Sequence, residues 1–116
     1  MSATLYKLIF FAPHQHTKRI LSHLFQTFPK ELGSLGNYDS CAFVCRGRGQ
    51  FRPLAGSNPF LGKTSELEYV EEDRVELLVS DKGGKEEIRK SIEELKKVHP
   101  YEEVAYDVYK LENFDI

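Results

Sequence analysis

The hydrophobic pattern of the chain divides it into four strand-like stretches and two helix-like ones. The strand-like stretches are rich in β-branched and aromatic residues and cover residues 4–12, 41–46, 66–80 and 101–111. The first is apolar on both faces except at Lys7, which is typical of a central strand. In the third, the run Glu71–Arg74 interrupts the alternation and predicts a bulge or a switch of the exposed face.

Apolar residues recur at helical spacing in the two intervening segments. The first helix is predicted to begin after Pro13 and to end before Pro29, because proline suits the start of a helix and stops its continuation. The second is predicted to follow the turn at residues 81–84 and to end before Pro100, with glutamates in its first turn and lysines in its last. The two apolar stripes comprise Ile20, Leu21, Leu24, Phe25 and Phe28 in the first helix, and Ile88, Ile92, Leu95 and Val98 in the second.

The resulting order, β-α-β-β-α-β, predicts an α+β fold of the ferredoxin-like type. Both helices are expected on one face of a four-stranded antiparallel sheet with a long hairpin between the second and third strands. Residues 1–116 are expected to form a single domain. The predicted core contains Leu8, Phe10, Leu21, Leu24, Phe43, Leu77, Ile88, Ile92 and Tyr106.

Charge and composition narrow the classes of function. The formal net charge is -2, with 29% charged and 41% hydrophobic residues, which fits an ordinary globular protein and argues against a nucleic-acid partner. No apolar run approaches the roughly 20 residues of a membrane span, and the start lacks the features of a signal peptide. We therefore expect a cytoplasmic protein with no membrane partner.

The two cysteines, Cys41 and Cys45, are expected to stay reduced and to be buried as small apolar residues. On one strand they would lie about 13 Å apart on the same face. A disulfide requires Cα atoms within roughly 7 Å of each other.

Residues 47–62 form a stretch rich in glycine and proline that also carries large apolar side chains. We expect a loop at the tip of the hairpin, whose apolar side chains are covered by contacts outside the hairpin, in a second copy of the chain or another partner protein. Self-association through this loop is therefore expected. The residues assigned to this ligand or interface loop are Gly47, Gly49, Phe51, Arg52, Pro53, Gly56, Ser57, Asn58, Pro59, Phe60 and Gly62, and the interface charges are Glu72, Arg74 and Glu76.

The arginines near Phe51 could in principle bind single-stranded nucleic acid by phosphate pairing and base stacking. The acidic residues of the third strand favour a simpler interpretation, in which the two arms of the hairpin form ion pairs with each other. We expect Arg52 to pair with an acidic residue of that strand.

Candidate chemistry is sparse. Glu102 and Glu103, as neighbours on a strand, are expected to point to opposite faces, and no catalytic residue is assigned. Histidines near the start of the first predicted helix are most often surface residues. His99 is expected to be stabilised as a cation by the C-terminus of the second helix. A divalent metal held between subunits by His14, His16 and His99 is kept as an alternative, as is a metal site that uses Cys45.

Four segments give the chain a family resemblance. They are GNYDSCAF at 36–43, GRGQFRPLAGSNPFLG at 47–62, LEYVEEDRVE at 67–76 and HPYEEVAYDVY at 99–109. On these segments the chain resembles the insert domain of NIF-three-like proteins of the YqfO type, which also occurs alone. The resemblance implies a domain similar to the CutA and PII proteins, which assemble as trimers through their sheets and long hairpins. It therefore implies a homo-oligomer that is a trimer, with a dimer as the alternative.

In the full-length members of that family, a surrounding domain carries a two-metal site of His, Asp and Glu. These 116 residues do not contain that domain, so the hydrolase or cyclohydrolase activity suspected of it is not carried over. Two hypotheses follow: a non-enzymatic oligomeric binding or regulatory module, and a small divalent-metal-binding protein or enzyme with its site between subunits.

Overall fold

The computed structural model describes residues 3–114 and shows the predicted order of elements. The elements are β1 (Thr4–Pro13), α1 (His14–Thr27), β2 (Phe43–Phe51), β3 (Glu68–Asp81), α2 (Glu86–Val98) and β4 (Tyr106–Lys110). The sheet has the order β2-β3-β1-β4 and all of its pairs are antiparallel. The ferredoxin-like prediction is confirmed. Within the described residues, no helix is long and apolar enough to cross a membrane.

The core lies between the sheet and the two helices. Even-numbered residues of β1, such as Leu8 and Phe10, and odd-numbered residues of β3, such as Leu77, pack there against Leu24 of α1 and Leu95 of α2. Strand residues alternate between faces, so the remaining residues of these strands lie on the other side of the sheet. We call that side the helix-free face.

The predicted core is largely confirmed. Leu8, Phe10, Leu24, Leu77 and Ile88 are buried, while Leu21, Ile92 and Tyr106 are partly buried against them.

Phe43 was wrongly placed in the core, because its side chain is 64% exposed. It pairs with Glu76 of β3, an even-numbered residue, and therefore lies on the helix-free face. Cys45, two residues further along the same face, is exposed rather than buried, and both cysteines are unbridged.

β2 is longer than predicted and passes through Gly47 and Gly49 without a break. Its register with β3 is continuous from Phe43↔Glu76 to Phe51↔Glu68. β3 therefore has no bulge, and that alternative of the prediction is wrong. The more buried set of β3 residues nevertheless changes at 72 and 73, from even-numbered to odd-numbered positions, which agrees with the predicted switch of face.

The switch occurs where β1 ends. Pairing of β1 with β3 stops at Pro13↔Glu72, so residues 68–71 of β3 pair only with β2. We call residues 48–71, the part of the hairpin beyond this point, the arm. The helices cover the odd-numbered residues of β3 that follow the arm. The loop at the tip of the arm folds over the even-numbered residues of β3 within the arm.

β4 is shorter than the predicted strand at 101–111. It spans Tyr106–Lys110, and residues 101–105, with bends at 101–103, approach β1 through one hydrogen bond, from the Phe11 N–H to the Ala105 carbonyl at 3.3 Å. These five residues are free to leave the plane of the sheet, and they form one wall of the site described below.

A buried carboxylate organises the start of α2. Asp81 is fully buried and accepts the N–H groups of Gly83 at 2.8 Å, Lys85 at 2.9 Å and Ile88 at 3.1 Å. Lys85 precedes the helix in a left-handed conformation, with φ of 65°. The carboxylate thus satisfies backbone donors that a helix start otherwise leaves without partners.

Candidate functional site

A cavity of about 420 Å³ lies at the arm end of the helix-free face. Phe11 and Val70 form its floor, and the loop at the tip of the arm contributes Pro53 and Phe60. Residues 101–105 close the third side, because they are not held in the sheet. The site thus joins three segments that are far apart in the sequence.

Tyr101 is the centre of an aromatic cluster beside the cavity. Its ring lies 6.4 Å from Phe51, 6.2 Å from Phe60 and 4.9 Å from His99, measured between centroids. Phe60 also meets the edge of His16 at 5.6 Å. The arm loop is therefore fastened to the body of its own chain, and aromatic pairs of this kind contribute about 0.5–1.5 kcal/mol each beyond the burial of area.

One hydrogen bond also joins the arm loop to the segment 101–105. The N–H of Asn58 donates to Oε1 of Glu102 at 3.0 Å. Phe60 nevertheless remains 49% exposed and Leu54 61% exposed. The expected cover outside the hairpin thus comes in part from Tyr101 of the same chain, and much of the apolar surface of the loop is still open.

Glu72 and Tyr101 bring ionisable groups to this apolar site. Burial raises the pKa of Glu72, and burial together with the charge of Glu72 raises the pKa of Tyr101 to about 12. The Tyr101 hydroxyl is buried and has no hydrogen-bond partner within residues 3–114. A Cβ at position 49 would collide with the Glu72 carboxylate, so Gly49 is what allows this side chain to lie across β2.

His99 holds the turn that places Tyr101. Its Nε2 donates to the Phe11 carbonyl at 2.7 Å, and its Nδ1 accepts the Tyr101 N–H at 3.1 Å. Burial lowers the pKa of His99, against the opposite effect of the Phe11 carbonyl, and the charges of His16 and Arg19 lower it further. The expectation of a cationic His99 is therefore wrong: the neutral ring acts as a bridge between α2 and β1.

A second polar cluster lies on the helix side of the sheet, at the start of α1. His14 Nδ1 lies 3.0 Å from Asp73 Oδ2, and Arg46 Nε lies 3.4 Å from Asp73 Oδ1. Burial by itself would raise the pKa of Asp73, but the nearby Thr17 hydroxyl, the hydrogen bond from His14 and the charges of His14 and Arg46 more than offset it and lower that pKa. The other ring nitrogen of His14, Nε2, contacts the Arg46 guanidinium.

The three candidate metal ligands do not meet within one chain. His14 faces Asp73, His16 Nδ1 lies 3.0 Å from the Arg19 guanidinium, and His99 bridges to Phe11. Among residues 3–114, no three His, Cys, Asp or Glu side chains are grouped closely enough to hold a metal ion.

The residues predicted for the loop fall into two groups here, those that line the cavity and the glycines that shape the loop. Arg52, Pro53, Ser57, Pro59 and Phe60 line the cavity with Phe51. Gly56 and Gly62 have φ angles of 91° and 86°, which favour glycine.

Ion pairing between the two strands of the hairpin, β2 and β3, involves a different arginine from the one predicted. Arg46 pairs with Asp73, while Arg48 stacks on the Tyr69 ring at 4.2 Å. No ion pair within the described residues includes Arg52. The predicted interface charges Glu72, Arg74 and Glu76 all lie on the helix-free face, where Arg74 Nε is 3.4 Å from Glu76 Oε2.

Sequence reasoning missed the contribution of residues 101–105. Glu102 and Glu103 were expected to point apart on a strand, yet both line the cavity, because this segment is not a strand. His99 and Pro100 were the available signal in the sequence. They end the second helix, and a buried histidine at that end holds the residues that follow it outside the sheet.

No protein-family model matches the chain. It is 43% identical over 110 residues to a protein of Halalkalibacterium halodurans named GTP cyclohydrolase 1 type 2 homolog, covering 95% of this chain and 28% of that protein. The homologue of the same name in Bacillus subtilis is 39% identical over 106 residues, 91% of this chain and 26% of that protein. A crystal structure of a Bacillus cereus protein related to NIF3 matches 97% of this chain and 27% of that one, with 34% identity and a TM-score of 0.76. The chain is NIF3-like.

The match covers a limited part of each relative. This NIF3-like chain spans about a quarter of the length of the curated relatives that it matches. The divalent ion tolerance protein CutA1 of Ehrlichia chaffeensis has the same fold, with a TM-score of 0.62 at 13% identity over 97% of this chain and 86% of that one.

Proposed function

We propose that this NIF3-like chain is an oligomeric binding module that corresponds to the insert domain within YqfO-type proteins and assembles through the helix-free face of its sheet. The observation that carries the proposal is the exposure of two large side chains on that face, Phe43 at 64% and Tyr109 at 54%. Phe43 lies on β2 and Tyr109 on β4, the two edge strands of the sheet.

The Phe43 edge offers a place for an apolar side chain from a neighbouring subunit. A hollow of about 200 Å³ lies there, lined by Phe43, Leu78 and Leu35, and Leu35 is itself 60% exposed. At about 25 cal/mol per Å² of apolar surface, burying roughly 400 Å² per subunit contributes on the order of 10 kcal/mol before association entropy is subtracted.

The separation of the two apolar edges favours a ring over a two-fold dimer. Between the two edge strands the helix-free face carries charged residues, among them Lys7 of β1 and Glu76 of β3. When one edge of a subunit meets the other edge of the next, the contact is heterologous, and such contacts form a ring when the rotation between subunits closes. The resemblance to the CutA and PII proteins supplies the expected number of three.

The proposed role is binding rather than catalysis. The name of the relatives refers to proteins about four times as long as the matched segment. In the His14–Asp73 pair both ring nitrogens of the histidine are already engaged, one by Asp73 and one by Arg46, which leaves no nitrogen to act as a base. A reducing compartment suits the two unbridged thiols, so we place the protein in the cytoplasm.

Light scattering on paired variants tests the assembly. Phe43→Arg and Tyr109→Arg each remove one apolar edge and add a charge, so each is expected to shift the wild-type oligomer to monomer. Gln26→Arg adds the same charge on the exposed surface of α1 and should leave the oligomer intact.

Mixing the two monomeric variants distinguishes a ring from a two-fold dimer. Each retains the edge that the other lacks, so a head-to-tail contact predicts a one-to-one heterodimer. A wild-type protein that is monomeric at micromolar concentration would overturn the proposed assembly. If Tyr109→Arg has no effect while Phe43→Arg dissociates the protein, the ring is wrong and a two-fold contact through the Phe43 edge replaces it.

A further inference from the structure

The cavity beside Tyr101 has the size and the walls of a small-molecule site. Its volume of about 420 Å³ lies in the range of about 300–1,000 Å³ that is typical of ligand pockets. Phe51, Phe60 and Tyr101 contribute aromatic rings, whose faces attract cations by about 0.5–2 kcal/mol.

The charges around the cavity are unbalanced. Three carboxylates, those of Glu72, Glu102 and Glu103, line it against a single guanidinium, that of Arg52. The nearby Arg74 on the same face is engaged elsewhere, because it pairs with Glu76 and stacks on Phe11 at 5.8 Å. The cavity is therefore acidic as well as apolar.

Among the three carboxylates, Glu72 is the one available to contact a bound ligand. Glu102 already accepts the Asn58 N–H, and Glu103 is exposed at the rim. Glu72 is half-buried, and none of the ion pairs within residues 3–114 includes it. A partly desolvated carboxylate without a counter-charge is costly, and a bound cation would relieve that cost.

We infer that this cavity binds a small organic cation with an aromatic or apolar body, its ring against Phe51, Phe60 and Tyr101 and its positive group against Glu72. The inference rests on the proposed binding role of the domain but does not require the assembly. The walls formed by the arm loop and by residues 101–105 belong to the same chain as Glu72, so we infer a site within one subunit.

Three indole probes of similar size and different charge test the inference. They are tryptamine, a cation; indole-3-propionate, an anion; and 3-methylindole, which is neutral. The chain contains no tryptophan, so indole fluorescence anisotropy reports the probe alone. Tryptamine is expected to bind at least about tenfold more tightly than indole-3-propionate, with 3-methylindole between them, since a close opposite charge in a partly desolvated site supplies a difference of that order.

Two variants assign the contacts. Glu72→Gln should abolish the difference between tryptamine and 3-methylindole while leaving 3-methylindole binding unchanged. Phe60→Ser should weaken all three probes. Glu93→Gln, on the exposed surface of α2, is the matched control for the loss of a charge and should behave as wild type. Far-UV circular dichroism verifies that each variant is folded.

Several outcomes would overturn the inference: no tryptamine binding at millimolar concentration, equal or tighter binding of the anion, or a preference for the cation that survives Glu72→Gln. Repeating the titration on Phe43→Arg separates this inference from the proposed assembly. Binding by that variant in its monomeric form supports a site within one subunit. Loss of binding there, in a folded protein, would contradict it.

Discussion

The buried carboxylate of Asp81 provides a sharp test of how this fold is held together. Replacing Asp81 with Ala leaves three backbone donors, those of Gly83, Lys85 and Ile88, without their acceptor. Gly83 and Lys85 are exposed and can turn to water, whereas Ile88 is buried. An unsatisfied buried donor costs about 1–3 kcal/mol and each exchanged hydrogen bond about 1 kcal/mol, so we expect the free energy of unfolding to fall by about 3–5 kcal/mol.

Urea unfolding followed by circular dichroism measures this loss. Asp81→Asn keeps one oxygen acceptor but no charge, and an intermediate loss of about 1–2 kcal/mol is expected because charge-assisted hydrogen bonds are roughly twice as strong as neutral ones. Lys82→Ala, in the same turn, truncates an exposed side chain and should change stability by less than about 0.5 kcal/mol. A loss below about 1 kcal/mol in Asp81→Ala would refute the role of the carboxylate as the cap of α2.

The same group makes the stability depend on pH with a definite sign. Burial by itself would raise the pKa of Asp81, but the N–H groups of Gly83, Ile88 and Lys85 and a contact with Glu87 lower it overall. The native carboxyl therefore holds its proton less tightly than the unfolded one, whose pKa is about 3.9. Its stabilisation is present above that value and is lost as the pH falls through the native pKa. The difference in unfolding free energy between wild type and Asp81→Asn should accordingly shrink on acidification, and a constant difference would contradict the linkage.

Three further predictions concern the core, the cluster and the thiols. Leu24→Ala should lower the free energy of unfolding by about 2–5 kcal/mol, because Leu24 is fully buried, and a loss under about 0.5 kcal/mol would contradict its place in the core. Tyr101→Phe removes a buried hydroxyl that has no partner within the described residues and should raise the same quantity by up to about 1 kcal/mol; a loss would reveal a partner for that hydroxyl. Mass spectrometry of the unreduced protein should show Cys41 and Cys45 as free thiols, and a two-dalton deficit traced to them would exclude the observed geometry.

The order of elements and most of the helix-packed core follow from local sequence. The helical stripes around Leu24 and Ile88 and the prolines at 13, 29 and 100 define both helices to within two residues of their observed ends. These features depend on the periods of the backbone, 3.6 residues for a helix and two for a strand, which a sequence displays directly. The βαββαβ arrangement then follows from general rules of connection.

The candidate site depends on contacts that no local pattern displays. Phe43 is exposed because its register with Glu76 puts it on the helix-free face, and that register is a property of two strands together. Gly49 continues a strand rather than breaking it, because β3 supplies the hydrogen bonds and the missing Cβ makes room for Glu72. Tyr101 enters the cavity because His99 is bonded to Phe11, 88 residues away in the chain. Pairing between distant segments set these positions, and therefore only the tertiary structure could decide them.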